Sequence, residues 1–153
     1  MNATPAEKRV LPPAVLAVAL IVMVALHFAW PVAQLLRFPM TLIGLLPLAA
    51  GIALNLSVDR AFKTHRTTIK PFERPSFLVT TGPFRFSRNP IYLGMVLLLL
   101  GVALLLGALT PFAVVPLFAL WIDRGVIRFE ERMLAETFGD AWQSYRRRVR
   151  RWI

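Results

Sequence analysis

Polar and cationic side chains meet an apolar run at one point of this sequence. The segment 81–94 reads TGPFRFSRNPIYLG, and it places Arg85, Arg88 and Asn89 directly before a run over 91–106 that carries no charge. Such groups at the mouth of a membrane helix are costly unless they meet a partner, so they indicate a functional site. Because two of the three are guanidinium groups, we expect the partner to be anionic.

A pair of carboxylates follows the last apolar run. Glu130 and Glu131 come shortly after Arg128, and in isolation such a pair is most simply a solvated helix face. In a continuous helix Glu130 lies about 12 Å beyond Ile122, just outside the bilayer. If the last two apolar runs form a hairpin, the pair meets the arginine cluster there. Carboxylates, guanidinium groups and aromatic rings together suit a small zwitterionic cofactor on the water side and a lipid-like substrate on the membrane side.

The elements that position these groups follow from composition. Of the 153 residues 57% are hydrophobic and 17% are charged, and the mean hydropathy is +0.61, far from the usual soluble composition. The apolar runs are long and unbroken, so we expect an all-α integral membrane protein with a single domain over 1–153. About four transmembrane helices are predicted, each close to the ~20 residues that a crossing needs. They cover 10–29, 38–56, 91–109 and 111–127, and the last two form a C-terminal helical hairpin.

A cytoplasmic loop over 59–90 and a cytoplasmic tail over 128–153 complete the chain. Threonines and prolines punctuate the loop, which favours an extended segment lying over the bundle, with a turn at 82–83. Pro90 is expected to start the next helix, because proline is tolerated at the first helical position. The tail is amphipathic, and the spacing of its apolar residues predicts one helix up to Gly139 followed by a second.

The net charge of +10 is concentrated in this loop and tail. The other connections carry little basic charge, which is the positive-inside pattern. We therefore expect both termini and the active site on the cytoplasmic side, with the protein in the inner membrane of a bacterium. Arginines of the tail attract the anionic headgroups of membrane lipids at about 1 kcal/mol each, so the charge does not indicate nucleic acid. The chain has no cysteine and two isolated histidines, so we expect no metal site.

Several motifs stand in order along the second half of the chain. SRNPIYLG at 87–94 follows TTGPFRF and precedes FEERMLAETFG at 129–139, WQSY at 142–145 and VRRWI. In this order, separated by a hairpin, they resemble the isoprenylcysteine carboxyl methyltransferase and phospholipid methyltransferase superfamily of integral membrane enzymes. The resemblance implies transfer of a methyl group from S-adenosylmethionine to a lipophilic or membrane-embedded acceptor, whose nucleophile is a carboxylate, an amine or a thiol. It also implies a cofactor pocket between the tail and the membrane helices.

The resemblance assigns roles to individual residues. Glu130 or Glu131 is placed beside the reacting centre, with Arg128 as the basic partner of the pair. The implied cofactor-binding residues are Arg85, Arg88, Asn89, Pro90, Tyr92, Gly94, Trp142 and Tyr145. Two departures from the family pattern argue against a prenylcysteine carboxylate as the acceptor: Asn89 replaces a histidine, and Val126 stands where related enzymes carry an arginine.

Two other functions fit the sequence. Sterol reductases resemble this superfamily in their C-terminal region, so a membrane reductase with a nicotinamide cofactor is the alternative enzyme. The non-enzymatic alternative is a lipid-binding membrane protein that acts as an adaptor or as a subunit of a larger complex. The sequence leaves open the acceptor, the identity of the catalytic glutamate and the oligomeric state.

Overall fold

The structure, a computed structural model, describes residues 11–65 and 75–153. The α-helices are α1 (Pro12–Ala29), α2 (Leu45–Thr64), α3 (Pro90–Leu106), α4 (Leu109–Ile122) and α5 (Arg128–Arg148). The 3₁₀ turns Met40–Gly44 and Gly82–Arg85 precede α2 and α3, and the π-helical turn Asp123–Ile127 joins α4 to α5. The described ranges contain one isolated β-bridge and no strand, so the prediction of an all-helical fold is confirmed.

Backbone conformation sets both ends of α3. Asn89 precedes the helix with φ −129° and ψ 54°, and Pro90 takes the first helical position, where its missing N–H is not needed. At the other end Gly107 has a φ of 68°, a left-handed conformation that glycine adopts without steric cost. Its N–H donates to the carbonyl of Ala103 at 3.0 Å. Because α4 begins at Leu109, the predicted hairpin is confirmed.

Glycines allow α2 and α3 to approach closely. Gly44 and Gly51 lie on the α2 side, and they face Gly101 and Gly94 of α3. A methyl group at Gly51 would lie 2.6 Å from the carbonyl oxygen of Gly94, and one at Gly44 would lie 2.5 Å from that of Gly101. Small residues are common at helix interfaces in membranes because close packing of the backbones drives helix association there. These contacts fix α3 against α2 on one of its faces.

Two groups of buried apolar side chains support the helices. The larger group lies among α1, α3, α4 and the π turn and includes Met23 and Leu99, both fully buried. The smaller group lies where the end of α2 meets α5, and it includes Val58 and Trp142. Ile91 packs against both groups. The start of α3 is therefore held from two sides.

Two of the described helices are long and apolar enough to cross a membrane, over Pro12–Ala29 and Met40–Thr64. They correspond to the first two predicted spans. α3 is apolar but shorter, and the fourth predicted span corresponds to α4 together with the π turn. The number of four crossings therefore stays a prediction.

α2 continues beyond the predicted end of its span. The loop was predicted to begin at residue 59, whereas the helix runs to Thr64. Lys63 pairs with Asp59 one turn earlier at 2.6 Å, and the hydroxyl of Thr64 donates to the carbonyl of Arg60 at 2.9 Å. Since the polar side chains are satisfied locally, the helix extends into the polar region and the predicted start of the loop was wrong. Residues 66–74 of that loop lie outside the described residues.

α5 bends at Gly139, whose φ of 47° and ψ of −120° are not helical. The predicted break at this residue is confirmed, and the helix resumes after it. Val149 is extended, with φ −123° and ψ 132°, and ends the helix. The chain then returns to the start of α3, where the carbonyl of Arg150 accepts a hydrogen bond from the N–H of Arg88 at 3.0 Å.

Candidate active site

Four segments of the chain meet at the start of α3. They are residues 87–89, the first turn of α3, the π turn with the beginning of α5, and residues 150–152. The hairpin brings the predicted arginine cluster and the predicted acidic pair together, since Arg88 and Glu131 form an ion pair. The contact between these two distant groups was the central expectation from the sequence.

Glu130 is a half-buried carboxyl group that faces the first turn of α3. Its Oε1 accepts a hydrogen bond from the hydroxyl of Tyr92 at 2.7 Å. Burial raises the pKa of Glu130 from its ordinary 4.5 to about 7, and the hydrogen bond from Tyr92 lowers it by less. Among the described residues no cationic side chain pairs with it. The carboxyl group is therefore divided between its two protonation states near neutral pH, and a cation that reaches it favours the ionised state.

Glu131 lies between two guanidinium groups. Its Oε1 is 2.9 Å from Nη1 of Arg88, and its Oε2 accepts a hydrogen bond from Nη2 of Arg151 at 2.6 Å. Arg151 also donates from Nε to Oε1 at 3.2 Å, so one guanidinium holds both oxygens. The hydrogen bonds to Glu131 raise the pKa of Arg151. Glu131 is thus neutralised by the protein itself, unlike its neighbour Glu130.

The same arginine reaches a second carboxylate, which lies in the π turn. Nη1 of Arg151 is 3.3 Å from both oxygens of Asp123, and the indole Nε1 of Trp152 donates to Oδ1 of Asp123 at 3.2 Å. Together with Arg88 and Glu131 these side chains form a cluster of two positive and two negative charges. We refer to Arg88, Asp123, Glu131 and Arg151 as the charge cluster.

Arg88 retains unused hydrogen-bonding capacity. Its side chain is 9% exposed, and its guanidinium carbon lies 5.6 Å from the ring centroid of Trp142. Nε is buried without a hydrogen bond, and Nη1 has no partner beyond its ion pair with Glu131 among the described residues. Burial lowers the pKa of Arg88, and the charge of Glu131 opposes this shift. A buried guanidinium with free N–H groups is suited to bind an anion such as a carboxylate.

Asn89 is buried, and its side chain forms a hydrogen bond with the backbone of the tail. Its Nδ2 donates to the carbonyl of Arg151 at 3.0 Å, and its own N–H donates to Oγ of Ser87 at 3.1 Å. The hydroxyl of Ser87 in turn donates to the same carbonyl of Arg151 at 3.3 Å. In this arrangement the amide of Asn89 fixes the last residues of the chain against α3. Its predicted contact with a cofactor stays a prediction.

Trp142 and Tyr145 are both buried, and their ring centroids are 5.8 Å apart. Oη of Tyr145 donates to the carbonyl of Phe84 at 2.7 Å, which ties α5 to the 3₁₀ turn before α3. Burial raises the pKa of the Tyr145 hydroxyl, so it stays protonated and remains a donor. Both rings hold the residues around Arg88 in place, and their predicted contact with a cofactor also stays a prediction.

Pro90 and Gly94 occupy positions where backbone geometry matters. Pro90 begins α3, and Gly94 faces the side-chain amide of Asn55 on α2. A β-carbon at Gly94 would collide with Oδ1 of Asn55, which is itself buried without a hydrogen bond. A role of these two residues in shaping a pocket is consistent with the position of each.

Two predicted site residues lie apart from the charge cluster. Arg85, at the end of its 3₁₀ turn, is exposed. Arg128 is also exposed, and the prediction that it is the basic partner of the acidic pair was wrong. The reason is geometric: Glu130 is two residues away and so points to another side of the helix. Glu131 is already paired with arginines from two other segments.

Sequence reasoning missed Asp123, Arg151 and Trp152. The arginines at the end of the tail were interpreted as lipid-binding residues, because many exposed arginines look alike in a sequence. One signal was available, since Asp123 is the first charged residue after the uncharged range 91–122. An isolated carboxylate at the end of a membrane helix needs a partner. The sequence does not indicate which of the tail arginines supplies it.

The groups at this site fit S-adenosylmethionine, the cofactor that the resemblance implies. This molecule carries a carboxylate, an ammonium group and a sulfonium group. The unused N–H groups of Arg88 suit the carboxylate, and the half-buried carboxyl of Glu130, which pairs with no cation in the described part of the chain, suits a positive group. The described residues contain no group of three or more His, Asp or Glu side chains that could hold a metal ion.

Comparisons with known proteins give a family and a fold. A family model described as phospholipid methyltransferase matches residues 39–141. An uncharacterized protein of Haemophilus influenzae is 38% identical over 63 residues, which are 41% of this chain and the full length of that protein. The structure is similar to that of the eukaryotic intramembrane Ras methyltransferase ICMT (isoprenylcysteine carboxyl methyltransferase), with a TM-score of 0.69 and 23% sequence identity. The match covers all of this chain and 53% of ICMT, so the chain spans about half the length of that enzyme.

Proposed function

Because the chain belongs to the phospholipid methyltransferase family, we propose that it is a membrane enzyme that uses S-adenosylmethionine to methylate a lipophilic or membrane-embedded acceptor. The nucleophile of the acceptor is a carboxylate, an amine or a thiol. The family and the helical fold indicate a membrane methyltransferase. We propose in addition that the cofactor is S-adenosylmethionine and that the acceptor is lipophilic or embedded in the membrane.

The observation that carries the proposal is the unequal pairing of the two adjacent glutamates. Glu131 is held by Arg88 and Arg151, whereas the one partner of the Glu130 carboxyl among residues 11–65 and 75–153 is neutral, the hydroxyl of Tyr92 at 2.7 Å. A carboxyl group that is largely desolvated and has no cation beside it is costly in a purely structural role. It is useful where a positively charged ligand binds. We therefore assign Glu130 to the reacting centre and Glu131 to its support.

Each residue of the site has a distinct role in the proposed reaction. S-adenosylmethionine supplies a methyl group that is already activated on its sulfonium sulfur. Glu130, held in place by Tyr92, binds the positive charge of the cofactor. Arg88, packed against Trp142, binds the carboxylate with its free N–H groups. Methyl transfer needs alignment and exclusion of water more than a strong acid or base, and the burial of these side chains provides both.

We also propose how the chain lies in the membrane. α3 is about 25 Å long, and α4 with the π turn is about 28 Å long, so each approaches the ~30 Å of the hydrocarbon core. With α1 and α2 they make four crossings, joined as the predicted hairpin requires. The exposed basic residues near the end of α5 favour the cytoplasmic side for the site and both termini, in the inner membrane of a bacterium.

A direct assay tests the function. Purified protein in detergent is incubated with methyl-labelled S-adenosylmethionine and a total membrane extract, and label is followed into the organic phase. Transfer that requires the protein, together with a rise in melting temperature on adding the cofactor, is the expected result. Absence of both would reject the proposal. Stabilisation by a nicotinamide nucleotide instead would indicate a reductase, and stabilisation by neither would leave a non-catalytic lipid-binding protein.

A further inference from the structure

The last residues of the described chain run along the segment that begins α3. The carbonyl of Arg150 accepts a hydrogen bond from the N–H of Arg88, and the carbonyl of Arg151 accepts hydrogen bonds from the side chains of Asn89 and Ser87. These three contacts lie between 3.0 and 3.3 Å. They attach the main chain of Arg151 to the residue that follows Arg88, so the two arginines are held in a fixed relation.

The side chain of Arg151 spans two carboxylates that come from different elements. Its Nε and Nη2 donate to Glu131 in α5, at 3.2 and 2.6 Å, and its Nη1 lies 3.3 Å from both oxygens of Asp123 in the π turn. A planar guanidinium with five N–H groups can serve two carboxylates at once, whereas an ammonium is a single point charge. The contacts of Arg151 therefore depend on its being an arginine.

This arrangement determines what Arg88 is free to do. Arg88 and Arg151 share the charge of Glu131, and Asp123 has Arg151 as its cation. Without Arg151, Glu131 would have Arg88 as its remaining cation within the charge cluster, and Asp123 would lose its ion-pair partner. The guanidinium of Arg88 would then be drawn more strongly toward Glu131, and the N–H groups that are now unused would be occupied. The free donors of Arg88 thus follow from the presence of Arg151.

We propose that Arg151 is a positioning residue for cofactor binding: it neutralises Glu131 and Asp123, so that Arg88 keeps its N–H groups for an anionic part of the cofactor. The inference rests on the proposed function, because it specifies how the same site binds S-adenosylmethionine. Arg151 acts through Arg88 and does not itself contact the reacting atoms. Its loss therefore weakens cofactor binding more than it slows the bound complex.

The variants Arg151→Met and Arg151→Lys test this role, with Arg150→Met as the matched control. Arg150 is exposed, and its contact with Arg88 uses the main-chain carbonyl, so the control removes a neighbouring charge and keeps the hydrogen bond. The dissociation constant of S-adenosylhomocysteine is measured by calorimetry on the full chain in detergent. KM for S-adenosylmethionine and kcat are measured with the labelled-methyl assay, and the melting temperature without ligand is measured for each variant.

We expect Arg151→Met to raise both the dissociation constant and KM about tenfold, while kcat changes less than about threefold. Arg151→Lys should give intermediate values, since lysine keeps the positive charge but cannot contact both carboxylates as the planar guanidinium does. If Arg151→Met does not fold, Arg151→Lys provides the test. Arg150→Met should match the unmodified protein. Unchanged cofactor affinity in a folded Arg151 variant, or a fall in kcat with unchanged KM, overturns the positioning role. If the unmodified protein neither binds S-adenosylhomocysteine nor transfers methyl groups, the proposed function fails instead.

Discussion

Tyr92 donates a hydrogen bond to Glu130 across 2.7 Å and joins the first turn of α3 to the first turn of α5. Glu131, the next residue, points to Arg88 and Arg151 instead. Successive residues of an α-helix project about 100° apart, so two adjacent carboxylates enter different surroundings. Glu131 is neutralised by arginines, whereas Glu130 is half-buried and has no counter-ion among the residues that the structure describes. The catalytic proposal depends on this difference.

Replacing Tyr92 with phenylalanine should shift the pH dependence of methyl transfer. The hydrogen bond from Tyr92 lowers the pKa of Glu130, so its loss raises that pKa above about 7. The ionised form that binds a cation then appears at higher pH. We expect the kcat/KM of Tyr92→Phe to be reduced near neutral pH and to recover toward about pH 9. A profile with the same midpoint in both proteins would show that Glu130 is not the titrating group.

The raised pKa of Glu130 also predicts how stability depends on pH. The pKa of Glu130 is about 7 in the folded protein, above the 4.5 of an unperturbed glutamate. The folded state therefore keeps a proton that the unfolded chain has released, and the free energy of unfolding falls as pH rises between these values. In Glu130→Gln this fall in the free energy of unfolding is absent, because glutamine does not titrate. Relative to the unmodified protein, the variant should gain up to about 3 kcal/mol between about pH 4.5 and pH 7.

Melting temperatures in detergent across this pH range check the prediction. The difference between Glu130→Gln and the unmodified protein is the informative quantity, because every other titrating group is common to both. The difference should grow as pH rises toward 7 and then stay constant. A difference that is the same at every pH would contradict the raised pKa of Glu130.

Glu131→Gln should destabilise the protein, because it leaves Arg88 without its partner in the charge cluster and leaves Arg151 with Asp123 alone. Removing one partner of a fully buried ion pair costs about 3 to 5 kcal/mol, and the partial exposure of Arg151 places the expected cost below that range. Arg128→Gln is the control, since Arg128 is exposed. It should change stability by less than about 0.5 kcal/mol. Chemical denaturation compares the two, and equal losses would mean that the charge cluster does not hold the site.

Gly51→Ala should weaken the packing of α2 against α3. The new methyl group would lie 2.6 Å from the backbone oxygen of Gly94, which cannot move without shifting the helix. We expect a cost of about 1 to 3 kcal/mol. Gly125→Ala is the matched control, because its methyl group would meet nothing nearer than Trp121 at 3.9 Å. Thermal unfolding in detergent measures both, and a Gly51 variant as stable as the Gly125 variant would contradict the close approach of these helices.

Much of the fold was predictable because it depends on local chemistry. Pro90 marks the start of α3 and Gly139 breaks α5, each through its own backbone preference. The span predicted over 91–109 ran past the observed end of α3 at Leu106, where Gly107 takes a left-handed conformation. The boundary at Asp59 was not predictable from polarity, because its side chain is satisfied by Lys63 within the same helix. The glycines that bring α2 and α3 together gave no separate signal, since a glycine in an apolar run has many possible reasons.

The sequence predicted which segments of the chain meet at the site, but not which side chains pair there. The sequence by itself determined that the arginines before α3 and the carboxylates after α4 lie at one level, because the length of each helix and the hairpin turn fix that level. Only the tertiary structure decided the partners: Glu130 with Tyr92, Glu131 with Arg88 and Arg151, and Arg128 with neither glutamate. Helix rotation and the return of the last residues to α3 select these pairs. Both depend on packing between distant segments, which residue spacing does not specify.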